Sequence, residues 1–247
     1  MDMKPILARF APLVVLSCLV PLAVLGAEKT RVLVVTGGHD FETNQFDQIF
    51  KDNPAITFQA VSHPDAHAWL KPDKAGSWDV LVFYDMWSKI TEEAKADFTA
   101  RLQEGKGLVS LHHSLANYPE WDEYAKIIGG KYHLQKHVLG GVEKPASTYK
   151  HDVDFKVRVA DPAHPVTRGL KDFDIHDETY GLFEVKPSSH SLLKTDEATS
   201  GPVIAWTNEY GKARVVYLQL GHDHLAYENP NYRRLVAQAI AWVARRD

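Results

Sequence analysis

The chain predicts an α/β fold built on a mostly parallel sheet, and three observations carry that prediction. Short apolar runs recur and end in glycine, histidine or aspartate. The segments between them carry helix-start and helix-stop residues, and the order is strand, helix, strand, helix, strand. Such an order closes through right-handed crossovers, which makes neighbouring strands parallel and layers helices on the sheet.

In chain order, residues 1–27 read as an export leader and are set apart from the fold. Lys4 and Arg9 form its basic start, "APLVVLSCLVPLAVLG" is an apolar middle broken by Pro21, and Gly26 and Ala27 offer small residues for cleavage. A membrane anchor is the competing reading, but a span needs about 20 apolar residues. Retention as a lipoprotein through Cys18 is a third. Residues 28–247 then make a single domain, long enough for one self-sufficient core. The expected location is periplasmic or extracellular, with no stable membrane span after cleavage.

"TRVLVVTGGHDF" opens with Val32 to Val35 and stops at Gly37 and Gly38, which reads as a strand buried on both faces. A helix follows from about Glu42 to Asp52, and "AITFQAVS" is the second strand. "WDVLVFYDM", residues 78 to 86, is the third. Thr91 is the N-cap of the next helix, with Glu92 and Glu93 in its first turn and Gly105 as its stop. "GLVSLHH" makes the fourth strand. After Gly141 the pattern turns to β, in "FKVRVAD", "HSLLKT" and "PVIAWTNEYGKARVVYLQLGHD", with "NEYG" (208 to 211) as the hairpin turn. Asn229 and Pro230 start a last amphipathic helix through Arg245, with Leu235, Ala239 and Trp242 on its apolar side.

Composition narrows the chemistry. Cys18 is the only cysteine, so residues 28–247 hold no disulfide, no thiolate ligand and no cysteine nucleophile. The net charge is −4 and no basic run is interleaved with aromatics, which argues against nucleic acid as a partner. "TGGHDF" lacks both the lysine of a phosphate loop and the G-x-G-x-x-G spacing, so no nucleotide cofactor is expected. A G-x-S-x-G elbow is also missing, and Ser110 lies inside an apolar strand.

Ligands of open parallel sheets bind beyond the carboxyl ends of the strands. Here the first strand ends in Gly37, Gly38, His39 and Asp40, and the third in Tyr84, Asp85 and Trp87. The fourth ends in His112 and His113, and the last long strand in Gly221, His222, Asp223 and His224. Four runs that each deliver imidazole or carboxylate to one edge predict a shared polar site. In extended chain His112 and His113 point to opposite sides, so one faces the site and the other packs. "HDETY" (176 to 180) adds Asp177 and Glu178, read either as a general acid or base or as a solvated acidic loop. His133 and His137 in "HLQKH" have the spacing that a helix places on one face, but Leu134 stands where a zinc protease needs glutamate. Trp87, Tyr118, Trp121, Tyr132, Tyr180 and Tyr227 offer rings for a sugar site or for the core. His164 is read as a turn residue, and His63, His67, His151 and His190 as surface.

In their order, "VLVVTGGHDF", "GKGLVSLHHS", "IIGGKYH", "DPAHPVTRGL", "HDETY", "PVIAWTNEYGKARVVYLQLGHD" and "NYRRLVAQAIAWV" resemble the trehalose-utilisation, or ThuA-like, family, from about residue 31 to 243. The resemblance implies a class I glutamine amidotransferase-like, flavodoxin-related fold, a three-layer sandwich around a mostly parallel sheet. It matches the family's fourth-strand histidine to His112, its last-strand pair to His222 and Asp223, and its D-E pair to Asp177 and Glu178. "GGKYHLQKH" departs from the family's histidine-proline pair, which leaves the choice between His133 and His137 open. The resemblance further implies sugar catabolism, with relatives in pathways that process 3-keto-glycosides. In such a reaction the C3 ketone acidifies the C2 proton, a base removes it, the C1 substituent leaves and water can add back.

The expected protein is therefore an exported hydrolase or lyase acting on a small carbohydrate, a keto-sugar (3-keto-glycoside). Glu178, Asp177 and His112 are its catalytic candidates, and Trp87, Tyr132, Tyr180 and His133 its substrate-binding ones. His39, His112, His222 and Asp223 are the candidate ligands of a divalent metal, with zinc, manganese and iron all suited to imidazole and oxygen donors. A non-catalytic carbohydrate-binding domain on the same scaffold is the competing expectation, because a fold does not fix a function. A scaffold role in sugar uptake is a third.

Overall fold

Thr30–Gly37 (β1), Ile56–Ser62 (β2), Val80–Asp85 (β3) and Gly107–Leu111 (β4) are strands. Their period of two sends Val32, Val34, Val80, Val82 and Val109 into one apolar cluster, and Leu33, Val35, Leu81, Phe83 and Leu108 into a second. Strands that are apolar on both faces must be covered on both, and this forces three layers. In the computed structural model, which describes residue 1 and residues 28–247, helices supply the covers. Thr43–Lys51 (α1) and Pro230–Val243 (α4) close over the first cluster, while Glu92–Glu104 (α2) and Asp122–Ile128 (α3) close over the second. Residues 2–27, on which the leader reading rests, lie outside the described residues.

The helix ends follow local chemistry. Thr91 Oγ1 accepts the Ala94 N–H at 3.2 Å, and the chain leaves α2 at Gly105 with φ +101°. Asn229 Oδ1 accepts the Asn231 N–H at 2.9 Å, with Pro230 in the first turn of α4.

Thr148–Val159 (β5), Phe173–Gly181 (β6), His190–Lys194 (β7), Val203–Tyr210 (β8) and Ala213–Leu218 (β9) complete a nine-stranded sheet of order β2-β1-β3-β4-β9-β8-β7-β5-β6. From β2 to β9 the pairing is parallel, and from β9 outward it is antiparallel. The β8–β9 hairpin turns at Gly211 and Lys212, at the end of "NEYG" and just beyond it, because Asn208, Glu209 and Tyr210 stay paired with Val215, Arg214 and Ala213.

Three local readings are corrected. "HDETY" is not a solvated loop but the middle of β6, with Asp177 and Glu178 both buried. "HLQKH" is not a helix: it joins the two-residue strand Gly130–Lys131 to a short hairpin, His137–Leu139 with Val142–Lys144. β4 stops at Leu111 and His112 enters a 3₁₀ turn, so the alternation expected of His112 and His113 does not apply. Among the described residues no helix is long and apolar enough to cross a membrane.

Candidate active site

His112 takes φ +50°, a left-handed conformation that costs a non-glycine residue about 1–2 kcal/mol. Its fully buried ring is held at both nitrogens. Nδ1 lies 2.6 Å from the Gln219 carbonyl, and Nε2 lies 2.9 Å from Glu178 Oε2 and 2.8 Å from the Tyr180 hydroxyl. A carbonyl only accepts, so Nδ1 carries the proton, and in the neutral ring Nε2 is a lone pair. His222 Nδ1 lies 3.3 Å from both Glu178 Oε2 and His112 Nε2. Two ring nitrogens and a carboxylate oxygen converge, a group of donors that could hold a metal ion.

Asp177 is adjacent in β6 and faces elsewhere. Its Oδ1 accepts the N–H groups of Glu178 (2.8 Å) and His222 (2.9 Å), and its Oδ2 accepts that of Gly221 (2.7 Å). Gly221 has φ +112°, and a Cβ there would run into the Tyr232 hydroxyl. The loop that carries His222 is therefore seated on Asp177, whose oxygens are occupied by backbone. Its contacts are thus with the backbone, and Glu178 is the carboxylate of the pair that faces the imidazoles.

A residue read as surface completes the cluster. The β5–β6 pairing runs Lys150 to Thr179 and then Val153 to Asp177, one extra residue on β5, with Asp152 at φ +56°. Such a bulge re-aims side chains. Here it sets His151 Nδ1 3.3 Å from Glu178 Oε1, on the side away from His112. A cleft of about 280 Å³ opens onto Glu178 and is lined by His39, His113, Tyr132, Tyr149, His151 and Tyr180, with Leu115, Leu134 and Met86 as apolar contributions. A cleft of this order suits one small ligand.

Burial pushes the Glu178 carboxyl up, but hydrogen bonds from His112 and His222 outweigh it and hold the group well below the ordinary carboxylate range. The hydrogen bond to Glu178 raises His222 against the effect of burial. Glu178 thus adds stability that is complete above its unfolded value, about 4.3, and is lost as pH falls through the depressed folded one. His222 adds stability that is complete below about 6.5 and is lost as pH rises through its raised one. The loss of Tm on His222→Ala is therefore expected to be greater at about pH 5.5 than at about pH 9. Thermal unfolding at the two pH values checks this, and an equal loss at both would mean that His222 carries no linked proton.

His113 is also buried, at 4% exposure, but it does more than pack. It lines the cleft, stacks on His39 with centroids 4.6 Å apart, and has no hydrogen-bond partner for either nitrogen among the described residues. Burial, then the neighbouring His112 and His39, keep it neutral.

The remaining candidates divide. Tyr132 and Tyr180 line the cleft. Trp87 does not: it stacks on His63 at 4.8 Å, beside the buried pair of His63 Nε2 and Asp85 Oδ2 at 2.9 Å. This also corrects the surface reading of His63. His133 is turned away from the cleft toward Glu184, 2.6 Å off. His39 is at the cleft but outside the ligand group, with its Nδ1 2.7 Å from the Asp40 carbonyl. Asp223 caps the short helix His224–Tyr227 by accepting the Leu225 N–H at 2.9 Å and is not among the converging ligand groups. Of the four metal candidates, His112 and His222 remain, joined by Glu178.

Against known proteins, the family model for trehalose utilisation (ThuA) matches residues 31–243. A ThuA-like protein of Parabacteroides merdae ATCC 43184 superposes with a TM-score of 0.75 at 18% identity, over 88% of this chain and 90% of its own. A ThuA-like protein of Bacteroides uniformis ATCC 8492 gives 0.68 at 20% identity, over 91% and 95%. A cytoplasmic protein of Salmonella typhimurium LT2 gives 0.59 at 12% identity, over 87% and 99%. No curated protein matches the chain. At these identities the structural likenesses speak for the fold, while the family model spans nearly all of the described sequence. The chain belongs to the trehalose-utilisation (ThuA) family, within the class I glutamine amidotransferase-like superfamily.

Proposed function

We propose that the protein is an exported sugar-active enzyme, a hydrolase or lyase that acts on keto-sugar glycosides in the cleft over Glu178. Membership of the trehalose-utilisation family supports a role in sugar metabolism. The observation that carries the finer reading is the convergence of His112, His222 and Glu178 beneath a cleft walled by tyrosines.

The donor set fits a divalent metal. His112 is locked with Nδ1–H on the Gln219 carbonyl, the outer hydrogen bond that usually orients a metal-binding imidazole. Two imidazoles and a carboxylate suit zinc, manganese or iron. Such an ion, when bound, polarises a ketone oxygen as a Lewis acid.

The chain's own residues account for the rest. With its carboxyl held low by the hydrogen bonds from His112 and His222, Glu178 serves as the fixed negative charge. His151, half-exposed at the cleft and 3.3 Å from Glu178 Oε1, is placed to take the C2 proton, and the carboxylate stabilises the imidazolium that forms. Burial, then the charge on Glu178, hold the Tyr180 hydroxyl protonated, so it can donate a hydrogen bond. Tyr132 supplies an aromatic face for the sugar ring.

The test is release of the C1 substituent from a panel of 3-keto-glycosides, with bound metal measured after mild purification. His151→Ala is expected to lower turnover about 10²–10⁴-fold with its binding of sugar retained. His112→Ala and His222→Ala are expected to lose turnover and the metal held between His112, His222 and Glu178. If wild type loaded with zinc, manganese or iron turns over none of the panel yet binds the sugars, the binding-domain reading replaces this one. Export is checked separately by fractionating cells and sequencing the N-terminus, which should begin near residue 28.

A further inference from the structure

On the other side of Leu134 lies a second cluster that the cleft does not use. His133 follows the strand Gly130–Lys131, His137 opens the hairpin, and Glu184 starts the strand Glu184–Val185 that pairs with Gly130–Lys131. The two imidazoles stack with centroids 3.4 Å apart and planes 3° from parallel. Both Nε2 atoms face one oxygen, Glu184 Oε1, at 2.6 and 3.3 Å. Two ligands bound tetrahedrally at 2.0–2.1 Å stand about 3.3 Å apart, the separation of His137 Nε2 from Glu184 Oε1, while His133 Nε2, at 2.6 Å, is in hydrogen-bond contact with that oxygen and would move outward to admit an ion. The histidine side chains are only 11% and 17% exposed, so the three groups meet largely out of solvent.

We propose that His133, His137 and Glu184 form a second transition-metal site, a clamp that fastens the hairpin of residues 137–144 to the body of the protein. Its ligand set, two imidazoles and a carboxylate, leaves a fourth position for water. The lysines nearby do not oppose the ion strongly. Lys131 is paired with Asp122 at 2.7 Å and Lys126 with Glu123 at 2.8 Å, both near solvent where salt screens them.

The hairpin has need of a fastening. Its strands are three residues each, too short to be stable alone, and Val138, Leu139 and Val142 are exposed instead of packed. At its base, His133 and Ser147 are joined by two hydrogen bonds, His133 N–H to Ser147 Oγ at 2.9 Å and Ser147 N–H to the His133 carbonyl at 2.8 Å. His137 and Glu184 make the other tie. Between the two lies Leu134, which lines the cleft, so the clamp fixes one wall of the substrate site.

The experiment uses the full chain carrying His222→Ala, which removes a ligand of the cleft cluster and leaves the clamp untouched. Cobalt is the probe, followed by its visible absorption and by equilibrium dialysis. One cobalt per chain is expected, weakened about tenfold or more by adding His137→Ala or Glu184→Gln. The glutamine keeps an oxygen facing the imidazoles, so its effect does not depend on unfolding. With zinc, trypsin cleavage after the exposed Lys136 should slow in the His222→Ala protein and not when His137→Ala is added. Absence of cobalt binding, or binding unchanged by both substitutions, overturns the site. Cleavage at equal rates with and without zinc overturns the clamp. Neither result depends on turnover in the cleft, so the clamp and the catalytic reading can fail separately.

Discussion

Glu178→Gln is expected to lower turnover of a 3-keto-glycoside about 10³-fold while leaving the fold in place. Glutamine has the same shape and keeps an acceptor oxygen, so packing around the buried side chain is conserved. What it loses is charge. Glu178 Oε2 faces His112 Nε2 and His222 Nδ1, and Oε1 faces His151. With an amide there, no anion remains to hold a cation between the rings or to stabilise a proton on His151. The raised pKa of His222 rests first on its bond to Glu178, so it should drop toward the ordinary imidazole value. Histidine titration by NMR checks the electrostatics, and single-turnover rates check the chemistry. A variant that retained turnover within a few-fold while His222 titrated normally would remove Glu178 from the reaction.

The parts of the molecule that were legible in the sequence are those decided within a few residues. Thr91, Gly105, Asn229 and Pro230 mark helix ends because caps are local hydrogen bonds and local backbone conformations. The apolar runs of β1, β3 and β4 read correctly because burial on both faces leaves few polar positions within them. His112 and His222 were found because strand ends converge in this kind of fold. The misses have other causes. His151 reaches Glu178 through a one-residue bulge in a strand pair, and a bulge leaves no mark in the pattern of apolar residues. His63 reads as an isolated polar residue, yet Asp85, 22 positions on, meets it in the interior. Trp87 sits at a strand end in sequence, but the stacking partner that turns it away comes from beyond β2. Asp177 and Glu178 are indistinguishable as a pair of carboxylates, and only tertiary contacts give them different work.

That difference yields the largest effect on stability. Asp177→Ala is expected to destabilise the fold by about 3–5 kcal/mol, because it strips the acceptor from three N–H groups at once, two buried and that of His222 part-buried, each buried one costing about 1–3 kcal/mol when unmet. For a domain of this size about 2–4 °C of Tm accompanies each kcal/mol, so Tm should fall by roughly 10 °C. Asp177→Asn should recover only part, since one amide oxygen cannot serve donors that now occupy both carboxylate oxygens. Its NH₂ would confront a backbone N–H. Turnover should fall as well, but indirectly: Gly221 and His222 lose the carboxylate on which their loop is seated, and His222 no longer meets Glu178. Metal affinity should therefore fall together with stability, and the pH profile of the residual activity should keep its position. An Asp177→Asn protein with wild-type Tm and no turnover would instead make Asp177 a reacting group, and the division of labour between the two carboxylates would have to be reversed.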